Sequence, residues 1–143
     1  KWAAYAQSKL VNVLFGYELD RRLGNRGVDA VASVVCHPGW AATGLQARGP
    51  QQSGSTVRLW GMKLANALFA QSAAHGALPM AYAATSDRLA GGEYVGPGGI
   101  MNMRGSPERQ RSSEASYDDA VAERLWDVSE ELTDVAYEFD DLS

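Results

Sequence analysis

The sequence predicts an α/β fold that is mostly helical, contains two short strands and forms one half of a doubly wound parallel sheet. Three observations support this class. An apolar-periodic segment over residues 3–23 predicts a long helix, which the glycines Gly24 and Gly27 end. Residues 28–36 follow directly and are short and rich in β-branched side chains, as in a strand buried on both faces. A Pro-Gly pair then stops the strand, so helix, glycine turn, buried strand and loop follow one another as in an α/β unit.

The long helix carries two apolar stripes rather than one. Their members recur at spacings of three and four residues: Leu10, Val13, Leu14 and Tyr17 in one, and Val11, Phe15, Leu19 and Leu23 in the other. Because the two stripes leave little polar surface before Glu18, we expect the first half of this helix to be buried.

The rest of the chain alternates loops, helices and one further short strand. We predict a polar loop at 44–54, a helix at 55–70, a helix at about 73–86 capped by Ser72, a short strand within 91–99, a polar linker at 110–113 and a last helix at 117–135. The last helix places four aliphatic residues on one face and acids opposite them: Val121, Leu125, Val128 and Leu132.

Length and composition narrow the classes of protein. The chain has 143 residues, of which 45% are hydrophobic, which is enough for one domain with its own core. It contains no apolar run near the roughly 18 residues that a membrane span needs. A single cysteine, Cys36, excludes an internal disulfide and favours a reducing, cytoplasmic location, and one Cys with two His makes a structural metal site unfavourable. Because residue 1 is Lys and lies in helix-like sequence without a cap, we expect the sequence to open inside a larger domain.

Charge is divided unevenly along the chain. Residues 1–105 carry ten Lys and Arg against five Asp and Glu, whereas residues 106–143 carry three against twelve. The acidic segment disfavours nucleic acid and anionic membranes as partners. The basic segment lacks a dense cationic cluster, which favours a solvated surface or a cradle for a phosphate-bearing cofactor.

Tyr5 and Lys9 form the strongest candidate for chemistry. They are four residues apart on the long helix and therefore share one face, together with Ser8 and Asn12. An ammonium near a phenol stabilises the phenolate, so this pair can serve as an acid and base near neutral pH. A surface tyrosine beside the stem of a lysine is the alternative.

The loop after the buried strand is the second candidate. In doubly wound sheets, ligands bind beyond the carboxyl ends of the strands. Pro38 and Gly39 lie at that position, where glycine lets the backbone approach a ligand, and Thr43 adds a hydroxyl. An ordinary Pro-Gly turn is the alternative. We expect Cys36 to pack in the core, and His37 to pack or to make a backbone hydrogen bond.

Taken in this order, these segments resemble the short-chain dehydrogenase/reductase family. Tyr5-Ala-Gln-Ser-Lys9 matches the family's YxxxK helix, and Pro38-Gly39-Trp-Ala-Ala-Thr43 matches its PG-x-x-x-T segment. Three further segments resemble the retinol-dehydrogenase-like branch: Leu19 to Leu23, Gly91 to Gly96 and Ala122 to Trp126. The resemblance covers essentially the whole chain and corresponds to the C-terminal half of a Rossmann-type domain.

The resemblance implies a role for each matching residue. Tyr5 would exchange a proton with the substrate, and Lys9 would hold the ribose of NAD or NADP. Pro38, Gly39, Ala41 and Thr43 would line the nicotinamide. A lid formed by helix 55–70 would cover an apolar alcohol or carbonyl substrate, with a wall that includes Trp40, Trp60 and Leu64. Core packing is the alternative for each of these side chains. The resemblance also allows a homodimer.

The family's glycine-rich phosphate turn, G-x-x-x-G-x-G, does not occur in the sequence, and neither does its upstream serine. We therefore divide the chain into residues 1–105, the second half of the catalytic domain, and residues 106–143, an acidic extension with an amphipathic helix. The alternative hypothesis is a truncated, non-catalytic fragment that acts as a binding or helical interaction module.

Overall fold

The computed structural model describes residues 2–39 and 71–139 and gives a mixed α/β protein that is mostly helical. Its elements in chain order are α1 (Trp2–Asn25), β1 (Val34–Cys36), α2 (Ala73–Thr85), β2 (Glu93–Pro97), β3 (Pro107–Gln110) and α3 (Asp119–Thr133). Short 3-10 turns lie at Ile100–Asn102 and Glu114–Tyr117. The predicted loop at 44–54 and the predicted helix at 55–70 lie outside the described residues.

Helix α1 confirms the predicted long helix and ends in a Schellman motif. Gly27 has a φ of 69°, its N–H donates to the carbonyl of Gly24, and the N–H of Val28 donates to the carbonyl of Leu23. Leu23 and Val28 are both buried in the same cluster, which is the apolar contact that accompanies this motif. Only Gly27 acts as the stop, because Gly24 still lies within the helix.

The first half of α1 is not buried as predicted. Residues 2–9 are all exposed, and burial begins only at Leu14. The contacts of α1 with α3 and with the 3-10 turn Glu114–Tyr117 involve residues from Phe15 onward. The apolar periodicity therefore predicted the helix correctly and its buried portion only in part.

Strand β1 is shorter than the predicted segment 28–36, and its residues are half-buried rather than buried on both faces. Val28 closes the helix cap, and Ser33 is held by its N–H to Asp20 Oδ1 at 3.3 Å and by its hydroxyl to the carbonyl of Gly16 at 2.8 Å. The neighbouring strand begins only at Glu93, so residues before Ser33 have no ladder partner among the described segments.

Within residues 2–39 and 71–139 the sheet has three strands in the order β1-β2-β3, where the sequence predicted two. Gly92 N–H donates to Ser33 and His37 N–H to Val95, so β1 and β2 run parallel. Gly98 N–H donates to Ser106, and Gln110 Nε2 donates to Pro97, which makes β2 and β3 an antiparallel hairpin. No strand was predicted at β3 because Pro107–Gln110 is polar and has no apolar alternation.

The described residues cluster into two compact units. The described part of the first unit comprises residues 2–35, 87–94 and 111–139, and that of the second comprises residues 36–39, 71–86 and 95–110. In the first unit a core of Leu23, Val28, Trp126 and Phe139 joins α1 to α3, and the rings of Phe15 and Trp126 stack with centroids 5.1 Å apart. In the second unit α2 lies against β3 and is capped by Ser72, as predicted, because Ser72 Oγ accepts the N–H of His75.

The face of helix α3 that is buried is not the face that carries its aliphatic stripe. Ala122 and Trp126 are buried against α1, whereas Val121, Val128 and Leu132 are 49%, 37% and 80% exposed. The large indole and the small side chain beside it fix the rotation of the helix, so four aliphatic residues at heptad spacing do not form its core face.

Candidate functional site

Tyr5 and Lys9 lie together on the exposed first half of α1. The Lys9 Nζ is 5.5 Å from the centroid of the Tyr5 ring, and the ring of Trp2 packs edge-on against Tyr5 at 6.1 Å. Ser8 shares the face, but its hydroxyl donates to the carbonyl of Tyr5 at 2.8 Å. The helical spacing therefore pairs the phenol with the ammonium, and Tyr5 is 44% exposed, so both groups are accessible to a ligand.

The Pro-Gly turn after β1 is held on both of its sides. Gly39 has a φ of 65°, in the left-handed region, and its N–H donates to His37 Nδ1 at 3.2 Å. The carbonyl of Pro38 accepts from Gln71 Nε2 at 2.8 Å. The expectation that His37 makes a backbone hydrogen bond is thus confirmed.

Glycine at position 39 is explained by its own surroundings. A Cβ there would lie 2.5 Å from the carbonyl oxygen of Met103 and 2.5 Å from Pro97 Cγ. The turn needs glycine for its conformation and its packing, and the role of Gly39 toward a cofactor stays a prediction. Trp40, Ala41, Thr43, Trp60 and Leu64 lie outside the described residues, so their predicted roles also stay predictions.

Two residues that hold this turn through hydrogen bonds were not predicted from the sequence. Gln110, assigned to a polar linker, ends β3 and bonds the imidazole of His37, and Gln71 bonds Pro38. These partners are 73 and 33 residues away along the chain. No local pattern marks a glutamine whose partner is so distant.

Neither of two cavities in the described part of the first unit includes Tyr5 or Lys9. One, of about 200 Å³, is lined by aromatic and aliphatic side chains with a few polar groups, including Phe15, Trp126, Thr133, Val135 and Tyr137. The other, of about 130 Å³, lies beside Tyr17, Glu18, Arg21 and Tyr117. Each is smaller than the roughly 300 Å³ at which ligand pockets begin.

The described residues contain neither a cluster of metal ligands nor a membrane-spanning helix. Within 2–39 and 71–139, no three His, Cys, Asp or Glu side chains cluster as the ligands of a metal ion would. No helix in these ranges combines the length and the apolarity needed to cross a bilayer. Burial raises the pKa of the Cys36 thiol above its usual value, which disfavours a thiolate nucleophile at the end of β1.

Comparison with known proteins places the chain beside dehydrogenases. Retinol dehydrogenase 13 of Homo sapiens is 37% identical over 132 residues, which is 91% of this chain and 36% of that protein. Polyprenol dehydrogenase of Homo sapiens is 32% identical over 137 residues, again 36% of that protein. The chain therefore spans about a third of the length of the curated relatives it matches. No family model matches the chain.

A solved structure shares the fold. The crystal structure of an uncharacterised protein from Mycobacterium paratuberculosis has a TM-score of 0.67 and is 31% identical. The alignment covers 96% of this chain and 41% of that one. The two curated relatives confirm the resemblance to short-chain dehydrogenases of the retinol-dehydrogenase-like branch.

Proposed function

We propose that this chain is the C-terminal half of a Rossmann-type catalytic domain in an NAD(P)-dependent oxidoreductase that interconverts an apolar alcohol and its carbonyl. The observation that carries the proposal is the pairing of Tyr5 and Lys9 on one exposed helical face. Both curated relatives are named dehydrogenases, which supports the reaction class.

The residues present fit the ribose end of a nicotinamide dinucleotide. An exposed ammonium at Lys9 can donate to the ribose hydroxyls, and Tyr5 lies one helical turn away. The turn at Pro38 and Gly39 follows the carboxyl end of β1, where ligands of doubly wound sheets bind. When bound, the nicotinamide supplies the two-electron acceptor or donor of the reaction.

Tyr5 performs the proton transfer in this proposal. During reduction its hydroxyl donates a proton to the carbonyl oxygen of the substrate, and during oxidation the phenolate accepts the proton of the alcohol. Lys9 places its positive charge beside the Tyr5 ring, so one lysine serves both the proton transfer and the ribose contact in this proposal.

Two substitutions separate these roles. Tyr5→Phe should lower turnover by about 100- to 10,000-fold and leave cofactor affinity nearly unchanged, because only the hydroxyl is lost. Lys9→Ala should lower both turnover and cofactor affinity, because the proton transfer and the ribose contact both use the ammonium. Tyr137→Phe is the matched control, since this tyrosine is also exposed, at 54%.

The assay uses the full-length protein encoded by the gene, with a small aldehyde and either NADPH or NADH, followed by steady-state kinetics and by cofactor fluorescence titration. Wild-type turnover in Tyr5→Phe would refute the role of Tyr5 and with it the proposed reaction site.

A helical interaction module is the second candidate function. The exposed Val121, Val128 and Leu132 on α3 support it, since they form an apolar stripe that the described residues leave uncovered. The two candidates differ in one measurement: an enzyme loses turnover in Tyr5→Phe, whereas an interaction module has no turnover to lose.

A further inference from the structure

A chain of three hydrogen bonds links the Pro-Gly turn to the β2–β3 hairpin within the second unit. The N–H of Gly39 donates to His37 Nδ1 at 3.2 Å, and His37 Nε2 lies 2.9 Å from Gln110 Oε1. Gln110 Nε2 in turn donates to the carbonyl of Pro97 at 2.9 Å. The imidazole therefore connects the backbone of the turn to the last residue of β3.

Only one protonation pattern satisfies this chain. A backbone N–H can only donate, so His37 Nδ1 must present its lone pair to Gly39, and the proton of the neutral ring lies on Nε2. A backbone carbonyl can only accept, so the NH₂ of Gln110 faces Pro97 and its oxygen faces the imidazole. The two ends thus fix both the tautomer of His37 and the orientation of the Gln110 amide.

The glycine at position 96 makes room for the imidazole. A Cβ built on Gly96 would overlap His37 Nε2 and would lie 2.6 Å from Gln110 Oε1. Any side chain at this position of β2 would therefore push the imidazole away from Gln110. Because the overlapping atoms belong to a side chain and not to the backbone, such a change would displace the ring before it disrupted the strand.

We propose that His37 and Gln110 are positioning residues that hold the turn at Pro38 and Gly39 in its left-handed conformation. The link to catalysis rests on the proposed function, in which this turn lines the nicotinamide. A turn that is held before the cofactor arrives need not be ordered during binding, and the apparent affinity rises with the fraction of molecules in the binding conformation.

Substitutions at His37 distinguish positioning from packing. In His37→Asn the side-chain oxygen can accept the N–H two residues ahead, as in an Asx turn, and so keeps the bond to Gly39. In His37→Gln the amide can still reach Gln110 but no longer offers an acceptor to Gly39. We expect Gly39 amide exchange to accelerate about threefold to tenfold in His37→Gln, to stay near the wild-type rate in His37→Asn, and cofactor dissociation constants to follow the same order.

Three further measurements complete the test. The ¹⁵N spectrum of wild-type His37 should report the Nε2–H tautomer, and Gly96→Ala should reproduce the effects of His37→Gln on Gly39 exchange. Gly24→Ala, on α1 with open space around the glycine, is the control for Gly96→Ala and should match the wild type in both exchange and affinity.

The conformational and functional parts fail separately. An Nδ1–H tautomer, or equal Gly39 exchange in His37→Gln and in the wild type, overturns the hydrogen-bonded turn whatever the protein catalyses. Altered exchange with unchanged cofactor affinity overturns the positioning role. Absence of cofactor binding and turnover in the wild type refutes the proposed function and removes the catalytic link, while the exchange data still decide the conformational part.

Discussion

Glu18 is a charged residue in the interior of the first unit, and its replacement by Gln should destabilise the protein. Only 1% of Glu18 is exposed. Arg21 donates to Oε2 through Nε at 2.9 Å and Nη2 at 2.6 Å, and Arg22 donates through Nε to Oε1 at 2.5 Å. Gln has the same shape, but it removes the negative charge and turns an NH₂ group toward one of two donor guanidinium groups.

The size of the effect follows from the burial of each partner. Removing one member of a buried ion pair costs about 3–5 kcal/mol when the other charge is left buried and unpaired. Here Arg21 and Arg22 are 35% and 30% exposed and keep contacts with Glu123 and Asp127, so water and these carboxylates recover part of the loss. We therefore expect the free energy of unfolding to fall by about 2–3 kcal/mol.

Glu123 provides a control on the same arginine. It lies 2.8 Å from Arg21 Nη2 but is 55% exposed, so Glu123→Gln should cost about 0.2–1 kcal/mol. Urea unfolding followed by circular dichroism measures both variants, and the effect of Glu18→Gln should persist in 0.5 M NaCl because buried pairs are weakly screened. If the two variants lost equal stability, the burial of the Glu18 carboxylate would not explain its contribution to the free energy of unfolding.

Two further substitutions test local features. Burial raises the pKa of Tyr17 to about 12, whereas an unfolded tyrosine titrates near 10. The stability advantage of the wild type over Tyr17→Phe should therefore be constant below pH 10 and fall as the pH rises toward 12. Urea unfolding across this range measures the difference, and a difference that grew with pH would contradict the reasoning. Gly39→Ala should lower the stability by about 1–3 kcal/mol in thermal unfolding, because residue 39 has a φ of 65° and lies near the carbonyl of Met103. Gly24→Ala, in a helix with open space around the glycine, should be neutral or stabilising. Equal melting temperatures of the two variants would refute the strain at residue 39.

The elements that the sequence predicted are those with a local signal. Helix α1 has its own apolar period and a left-handed glycine stop, and α2 has Ser72 as its cap. Strand β3 has neither apolar alternation nor β-branched residues, and it forms because the hairpin aligns Gly98 with Ser106. Strand β3 forms only by pairing with β2, and the local sequence around residues 107–110 does not contain that partner.

The burial of helical faces was harder to predict because it depends on the partner element. In α3 the stacking of Trp126 on Phe15 and the bridge from Glu123 to Arg21 set the rotation, and the aliphatic stripe is left exposed. The stripe indicated an amphipathic helix correctly, but hydrophobicity alone does not say which of two adjacent faces meets α1.

The candidate functional residues also include some that local sequence predicts and some that depend on distant partners. The pairing of Tyr5 with Lys9 follows from helical spacing alone, and the structure has them adjacent. The chain from Gly39 through His37 to Gln110 joins residues 73 positions apart, so it required the hairpin to be known. Sequence reasoning thus predicted the candidate pair Tyr5 and Lys9 and missed the residues that hold the Pro-Gly turn.

The exposure of Tyr5 and Lys9 also changes the physical argument for catalysis. A buried lysine would have needed a compensating partner, but an exposed one is solvated, so its position beside Tyr5 is not forced by desolvation. In water, an ammonium and a phenolate a few ångströms apart attract each other by no more than about 1 kcal/mol, which is too little to make a strong base of the phenol. The same pair attracts several times more strongly where the effective dielectric constant is about 20. In the proposed enzyme, bound cofactor and substrate must therefore exclude water from this face of α1 if the charge of Lys9 is to assist the proton transfer by Tyr5.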